Sequence, residues 1–351
     1  MPIDISCGVC YNMSEGSEFM RYPKLLTAGD TIGVCAPSSG VPERLYLRLN
    51  KAVANVEALG YEVAKSDYIG DRIKCVSADA PMRAAEFMKM YENPSIAAII
   101  PPWGGEFLMD MLPLLDYERI AALPAKWVCG YSDISTLTFM LTVKCDIASV
   151  HGSNFMNMGY ARIHETDLFA FEAMSNAEMV QQSSPYWGNF RDWNDINGEI
   201  YAMNNESTWK SDADRHEFSG RMIGGCMDTL CKLLGTKYAP VEEFLDKYSD
   251  DGFIWTLESC EMSAADIYRT LWQMRECGWF KHCTGVIYGR AAGYSDTHDF
   301  TLTDALKCLD VPVIYDADVG HIPPQIQIIN GAVGHVVYEN GRATISQEHK
   351  V

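Results

Sequence analysis

From Thr31 onward, short runs of apolar and β-branched residues alternate with stretches whose apolar positions repeat every three or four residues. Such alternation predicts parallel strands covered by the helices that connect them. Thr31–Ala36 (TIGVCA) reads as a buried strand and Pro37-Ser38-Ser39-Gly40 as the turn leaving it. Leu45, Leu49, Val53 and Val56 then mark one face of a helix running to Leu59, with Gly60 as its stop. Further strands are predicted at Tyr61–Ala64, Ala97–Ile100, Lys126–Gly130 and Ile147–Val150, and helices at Met82–Tyr91, Glu106–Leu114 and Asp133–Thr142. Together they predict a βαβ-type unit over residues 22–155, preceded by an extension over residues 1–21.

The pattern breaks between about residues 175 and 218, which are polar and rich in Asn, Asp, Ser and Gly yet carry Trp187, Trp193 and Trp209. Two readings stay open for these indoles: each pins a long connection onto a neighbouring unit, or they form an aromatic wall over a ligand site. Residues 156–217 are therefore expected to be a connecting segment, and residues 218–351 a second αβ unit. In that unit Cys226–Leu234 reads as a helix closed by Gly235, Phe253–Leu257 as a strand, Ala264–Glu276 as a helix and Gly285–Tyr288 as a strand. Thr303–Leu309 reads as helical and Val313–Tyr315 as a strand, and Gly331–Tyr338 with Ala343–Ile345 forms a hairpin around Asn340-Gly341.

No run of eighteen apolar residues occurs, so a bilayer-spanning helix is not expected. With 28 Lys and Arg against 47 Asp and Glu, the formal charge of -19 repels phosphate backbones and anionic membranes, so neither nucleic acid nor membrane is expected as a partner. Met1–Asn12 has Asp4, no basic residue and no apolar core of secretory length, which points to the cytoplasm. Twelve cysteines in such a chain read as reduced thiols; Cys35, Cys129, Cys145, Cys231 and Cys308 all lie in apolar runs. Cys7-Gly8-Val9-Cys10 has redox or half-zinc spacing but no second pair to match it, so no metal and no cofactor are expected.

Gly130-Tyr131-Ser132-Asp133 stands where a buried strand hands over to a helix. A serine on such a turn projects its hydroxyl from the sheet beside the free N–H groups of the helix start, as a nucleophile needs. The second glycine of the Gly-x-Ser-x-Gly pattern is missing, and a plain helix cap explains the same residues. A serine nucleophile needs a base and a group that orients the base. Glu258 ends the apolar run Phe253–Leu257, and His321 follows Asp318-Val319-Gly320 just after a strand. Each has an ordinary alternative: Glu258 pairs with Arg269 or caps the next helix, and His321 is a loop histidine.

Taken together these three spots resemble the LD-carboxypeptidase family of serine peptidases, which includes the microcin C immunity peptidases. The matching stretches include Pro23-Lys24-Leu25-Leu26, Gly29-Asp30-Thr31-Ile32, Ala36-Pro37-Ser38, Trp103-Gly104-Gly105, Lys126, Gly130-Tyr131-Ser132-Asp133-Ile134, His151-Gly152, Gly224-Gly225, Gly235-Thr236, Leu257-Glu258, Arg269 and Gly320-His321. They run in order from Tyr22 to about Tyr338.

The resemblance implies a Ser132–Glu258–His321 triad, with oxyanion donors at the backbone of Gly105 and Asp133. It implies a doubly wound parallel-sheet domain joined to a smaller carboxy-terminal αβ domain, with the site in the cleft between them, and a homodimer. Gly224-Gly225-Cys226-Met227-Asp228 departs from the Gly-Gly-Asn of many murein-directed members and is more similar to the immunity branch, as is the tryptophan-bearing loop. Trp103, Gly104, Trp187, Trp193 and Arg221 are accordingly expected to bind substrate, with Arg290 a further candidate for a carboxylate. The activity implied is amide hydrolysis through an acyl-enzyme on a small peptide or a peptidyl or aminoacyl nucleotide. The alternatives are a murein LD-carboxypeptidase releasing a terminal D-amino acid, and a non-catalytic small-molecule binding protein. A dinucleotide-dependent oxidoreductase is set aside, because Ala36-Pro37-Ser38-Ser39-Gly40 replaces the Gly-x-Gly-x-x-Gly turn that cradles a pyrophosphate.

Overall fold

The computed structural model describes residues 19–70 and 74–350; Cys7 and Cys10 lie outside them. Four short strands, β1 (Thr31–Val34), β2 (Glu62–Lys65), β3 (Ile96–Ile99) and β4 (Trp127–Val128), form a parallel sheet in the order β2-β1-β3-β4. A parallel bridge from Cys129 to Val150 carries the sheet on to β5 (Ser149–His151). The order reverses between β1 and β3, and loops leaving the carboxyl ends of two such strands diverge to open a crevice. The helices Tyr46–Ala58 and Ala80–Glu92 follow the predicted periodicity, the second capped by Asp79, whose side chain accepts from the Met82 N–H. Glu106–Leu114 forms only a 3-10 turn, Leu108–Leu114, followed by a short helix, Tyr117–Ala122. Pro113 inside it supplies no N–H for a longer α-helix.

The connecting segment holds more regular structure than its composition announced. After the helix Glu165–Ser175 come β6 (Glu178–Gln182), the hairpin β7 (Tyr186–Phe190) and β8 (Tyr201–Glu206), and β9 (Lys210–Ser211). Then follow β10 (Arg215–Cys226), β11 (Phe253–Glu258), β12 (Cys283–Gly289), β13 (Val313–Ala317), β14 (Ile328–Asn330), β15 (Val333–Glu339) and β16 (Arg342–Glu348). An eight-stranded mixed sheet runs β6-β16-β15-β10-β11-β12-β13-β9, with β10 to β13 parallel. Gly224-Gly225 therefore lies inside a strand and not ahead of a helix, and the expected Cys226–Leu234 helix shrinks to Met227–Leu230. A side chain at Gly224 would sit 1.8 Å from the Thr256 carbonyl oxygen, so only glycine lets β10 and β11 approach there. Ala264–Glu276 matches its prediction and starts with a Ser263/Asp266 capping box.

The two sheets are held by one continuous core. The helix Ser135–Cys145 is buried on every side except at Lys144, because one face covers its own sheet and the other meets β10. Its Phe139 stacks on Trp279 at 5.2 Å, and Trp279 stacks on Trp255 of β11 at 5.6 Å. Burying a side chain such as Phe139 contributes on the order of 2–3 kcal/mol. β14 pairs antiparallel with β5, so the carboxy-terminal part of the chain also hydrogen-bonds the first sheet directly. Among the described residues no helix is long and apolar enough to cross a membrane.

Candidate active site

β4 delivers Gly130, where a side chain would meet Asn154 Oδ1 and Ile134 Cγ2 at 2.6 Å, so the turn closes only on glycine. Tyr131 stays extended, and Ser132 then adopts the left-handed region at φ 64°. For a residue with a Cβ this conformation costs about 1–3 kcal/mol and is found where the surroundings enforce it. No side-chain cap hydrogen bond starts this turn or the helix after it, so helix capping does not account for Ser132. Backbone strain at the residue between strand and helix is the arrangement of a nucleophile elbow.

Opposite Ser132 runs the loop after β3. A side chain on Gly104 would lie 2.7 Å from Ser132 Cβ, 2.8 Å from its hydroxyl and 2.9 Å from the Asp133 nitrogen. Gly104 thus faces both the hydroxyl and the N–H at the start of the helical turn. At Gly105 a side chain would collide with the Ser38 and Ser39 hydroxyls at 2.4 Å, which seats this loop on the one leaving β1. The Asp133 carboxylate ties the three loops together, accepting from Ser38 Oγ at 2.5 Å and from the Leu108 N–H at 2.9 Å. Burial raises its pKa against those hydrogen bonds. Its side chain is consumed in this bracing, which leaves its backbone N–H as the group turned toward Gly104.

Glu258 ends β11 with no exposed surface, and its Oε2 accepts from His321 Nδ1 at 2.9 Å. Burial opposes the charge on both partners, but each outweighs it for the other. The His321 pKa is raised well above the ordinary imidazole value, and that of Glu258 is lowered. Holding Nδ1–H on a carboxylate fixes the tautomer and turns Nε2 outward. The pairing of Glu258 with Arg269 is not observed, because Arg269 binds Asp266. The ring of Tyr131, next to Ser132, packs edge-on against His321 at 5.0 Å between centroids. Among the described residues no hydrogen bond joins Ser132 to His321.

Several groups around this pair were given no role by sequence reasoning, although His151-Gly152 is among the family-like stretches. Ser135 Oγ accepts from the Cys226 N–H at 3.1 Å and bonds His151 Nδ1 at 3.2 Å, joining the first lobe to the end of β10. Burial pushes the His151 pKa down to about 4, so it is neutral. Arg48 is buried on the apolar face of its helix, with Trp193 stacked at 3.6 Å and Tyr160 at 4.0 Å from the guanidinium carbon. A charged residue in register with Leu45, Leu49 and Ala52 was the available signal.

The predicted binding residues divide. Trp193 packs edge-on against Trp103 at 6.2 Å, so these two join the nucleophile side. Trp187 lies 5.7 Å above Arg290, and Gly188 donates to the Pro323 carbonyl at 3.0 Å, which fastens the hairpin β7-β8 just after His321. Trp209 is wholly buried in a separate apolar cluster and serves packing. Arg221 is corrected: its guanidinium binds Asp251 at 2.5 Å and the Gly331 carbonyl. Five residues of strand separate it from Cys226, the partner of Glu258 in register, or about 16 Å. Arg290 is likewise engaged, by Asp318 and by Ser207.

The strained serine after a parallel strand and the buried carboxylate–imidazole pair on the second sheet stand in a chain whose family is one of hydrolytic enzymes of serine-peptidase type. The chain belongs to the LD-carboxypeptidase family, residues 32–152 matching its N-terminal domain and residues 219–336 its C-terminal domain. A Vibrio cholerae protein named as a carboxypeptidase is 25% identical over 332 residues, covering 92% of this chain and 96% of its own. Among solved structures, an MccF-like protein from Bacillus anthracis superposes with a TM-score of 0.81 at 24% identity, over 93% of this chain and 99% of that one. MccF in complex with glutamyl sulfamoyl guanosine gives a TM-score of 0.78 at 21% identity, over 93% and 98%.

Proposed function

We propose that the protein hydrolyses an amide through an acyl-enzyme on Ser132, with His321 as general base and then acid and Glu258 as the group that orients it. The observation that carries this reading is the 2.9 Å bond from His321 Nδ1 to the fully buried Glu258, beside the turn that strains Ser132. Ser132 Oγ attacks the carbonyl carbon while His321 Nε2 takes its proton. The oxyanion then sits against the N–H groups of Asp133 and Gly105. His321 returns the proton to the leaving amine, and a water activated by the same nitrogen cleaves the ester. Residues 22–155 supply the nucleophile in this scheme and residues 218–351 the base and its partner.

For the substrate, we take a peptidyl or aminoacyl nucleotide amide. The indoles of Trp103 and Trp193 meet beside the nucleophile, and a base stacks on an indole without help from positive charge. That suits a chain of charge -19 whose candidate arginines are already paired. A solved relative carrying glutamyl sulfamoyl guanosine supports the same class. The reading further takes the protein to act in the cytoplasm as a homodimer, which sedimentation of the purified chain tests for the assembly.

The deciding experiment is mass-spectrometric digestion of an aminoacyl sulfamoyl adenylate and a murein LD-tetrapeptide side by side, with Ser132→Ala as control. Cleavage of the adenylate alone is expected. Release of D-Ala from the tetrapeptide alone establishes the murein carboxypeptidase instead, and equal turnover by Ser132→Ala removes the serine mechanism.

A further inference from the structure

At the ends of β10 and β11 and just after β13, Cys226, Glu258 and His321 each place one donor atom within 4.8 Å of the others. Among the described residues this is the one such grouping of three. Glu258 uses Oε2 on His321, while its buried Oε1 meets no nitrogen or hydroxyl donor among the described residues and the Cys226 thiol, a weak donor, is the other side chain on this carboxylate. A buried carboxylate oxygen without a strong donor carries a desolvation cost that a cation relieves. The hydrolytic scheme above employs neither Oε1 nor the Cys226 thiol. Asp228 braces the rim, accepting from the Cys260 and Glu261 N–H groups at 2.8 and 3.0 Å, with its Oδ2 3.6 Å from Cys226 Sγ. Bonds of that kind hold liganding side chains in place.

We propose that Cys226, Glu258 and His321 form a binding site for a zinc-class divalent cation, which acts there as an inhibitor. One thiolate, one imidazole and one carboxylate are the donors zinc prefers, whereas magnesium and calcium require all-oxygen shells. His321 retains some exposure where its two partners have almost none, so the ion enters from the His321 side. On binding, the Cys226 thiol and the His321 ring nitrogen that takes the ion each give a proton to solvent, and the ion keeps water in its fourth position. His321 is then held away from Ser132. The binding stands on its own geometry; only the inhibition rests on the serine-peptidase reading.

The test is Co2+ titration of the full chain carrying Cys7→Ser and Cys10→Ser, so that the amino-terminal pair contributes no thiolate. One equivalent of Co2+ with thiolate-to-metal charge-transfer absorption is expected, displaced by Zn2+ and retained in Ser132→Ala and Cys260→Ser. Cys226→Ser should lose the band, and Glu258→Gln should weaken binding at least about tenfold. Cys226→Ala serves if serine is not tolerated in the buried position. Zn2+ should stop hydrolysis, and a chelator should restore it. Absence of a thiolate band, or a band unchanged by Cys226→Ser or Cys226→Ala, overturns the site. A Cys226-dependent band in a protein that cleaves no substrate leaves the cation site standing and removes the hydrolase reading, and hydrolysis without a band does the reverse.

Discussion

Gly320 lies so close to Glu258 that a side chain on it would stand 2.5 Å from Oε2, the oxygen that holds His321. Its φ of 94° adds strain for any other residue. Gly320→Ala is therefore expected to displace the carboxylate from the imidazole. A shift near 1 Å in a reacting group costs about a hundredfold in rate. Steady-state kinetics should show that loss in kcat with KM little changed, and an undiminished kcat would mean that the pair need not be tightly held.

Ser132→Ala and His321→Ala should each lower kcat on the order of 10^4-fold or more, and the double variant should cost little beyond either single one, because members of a triad act as a unit. Losses that multiply in the double variant would assign the two residues to separate steps. Circular dichroism should show Ser132→Ala folded as wild type, since Ser132 forms no side-chain hydrogen bond among the described residues. His321→Ala, by contrast, strands the buried Glu258 carboxylate and should lower Tm, so its kinetics are read where it remains folded.

The His321–Glu258 pair sets the pH dependence. His321 must be neutral to accept a proton, and its pKa lies well above the ordinary 6.5, so kcat/KM should still be rising with pH above 6.5. In Glu258→Gln the attraction is gone and burial remains, which moves that limb to lower pH while the plateau falls. Stability follows its own signs. The His321 contribution is complete below 6.5 and lost as pH rises through the raised pKa; that of Glu258 is present above 4.5 and lost as pH falls through the lowered pKa. The difference in Tm between wild type and Glu258→Gln should thus be greatest between these two values. A difference flat with pH would show that the pair is not ionised.

The parallel strands and amphipathic helices were legible because each is a local pattern, and Ala264–Glu276 and the Asn340-Gly341 hairpin are the clearest cases. Glu258 and His321 were legible for a related reason: a carboxylate at the end of the apolar run Phe253–Leu257 must be paired if it is buried, and β13 ends shortly before His321. What the pattern hid was non-local. β6 alternates exposed and buried positions, but Val180 faces outward and Gln181 inward, so apolar and polar residues do not follow the alternation and it reads as loop without β16 beside it. Arg221 looked available because nothing in the chain announces Asp251, thirty residues away, as its partner. The facing of Gly104 and Ser132 likewise appears only when two loops from different strands converge.

Trp193 has the Arg48 guanidinium over its ring and Phe190 stacked on it at 5.1 Å, and it meets Trp103 edge-on, so it fixes the corner in which Trp103 stands. If that aromatic corner receives a nucleobase, Trp193→Ala should raise KM for an aminoacyl adenylate about tenfold or more, in line with about 1–3 kcal/mol per stacked base. Trp193→Phe should recover much of the loss, and a nucleotide-free peptide should be indifferent to either change. Trp187→Ala gives a second test, because Trp187 lies over Arg290 on the His321 side of the hairpin. Equal losses on both substrate classes would assign these indoles to packing alone.

Arg221 and Asp251 provide a test in which stability and catalysis should separate. Both side chains are nearly inaccessible, at 4% and 8% exposure, and their 2.5 Å bond lies where the pairing of β10 with β11 begins, at the opposite end of that pairing from Glu258. Asp251→Ala strands a buried guanidinium, which typically costs about 3–5 kcal/mol. A large fall in Tm is expected, with kcat/KM unchanged at a temperature where the variant remains folded. A rise in KM confined to substrates bearing a free carboxylate would instead return Arg221 to the binding site, because a structural ion pair at that distance has no means of distinguishing one substrate from another.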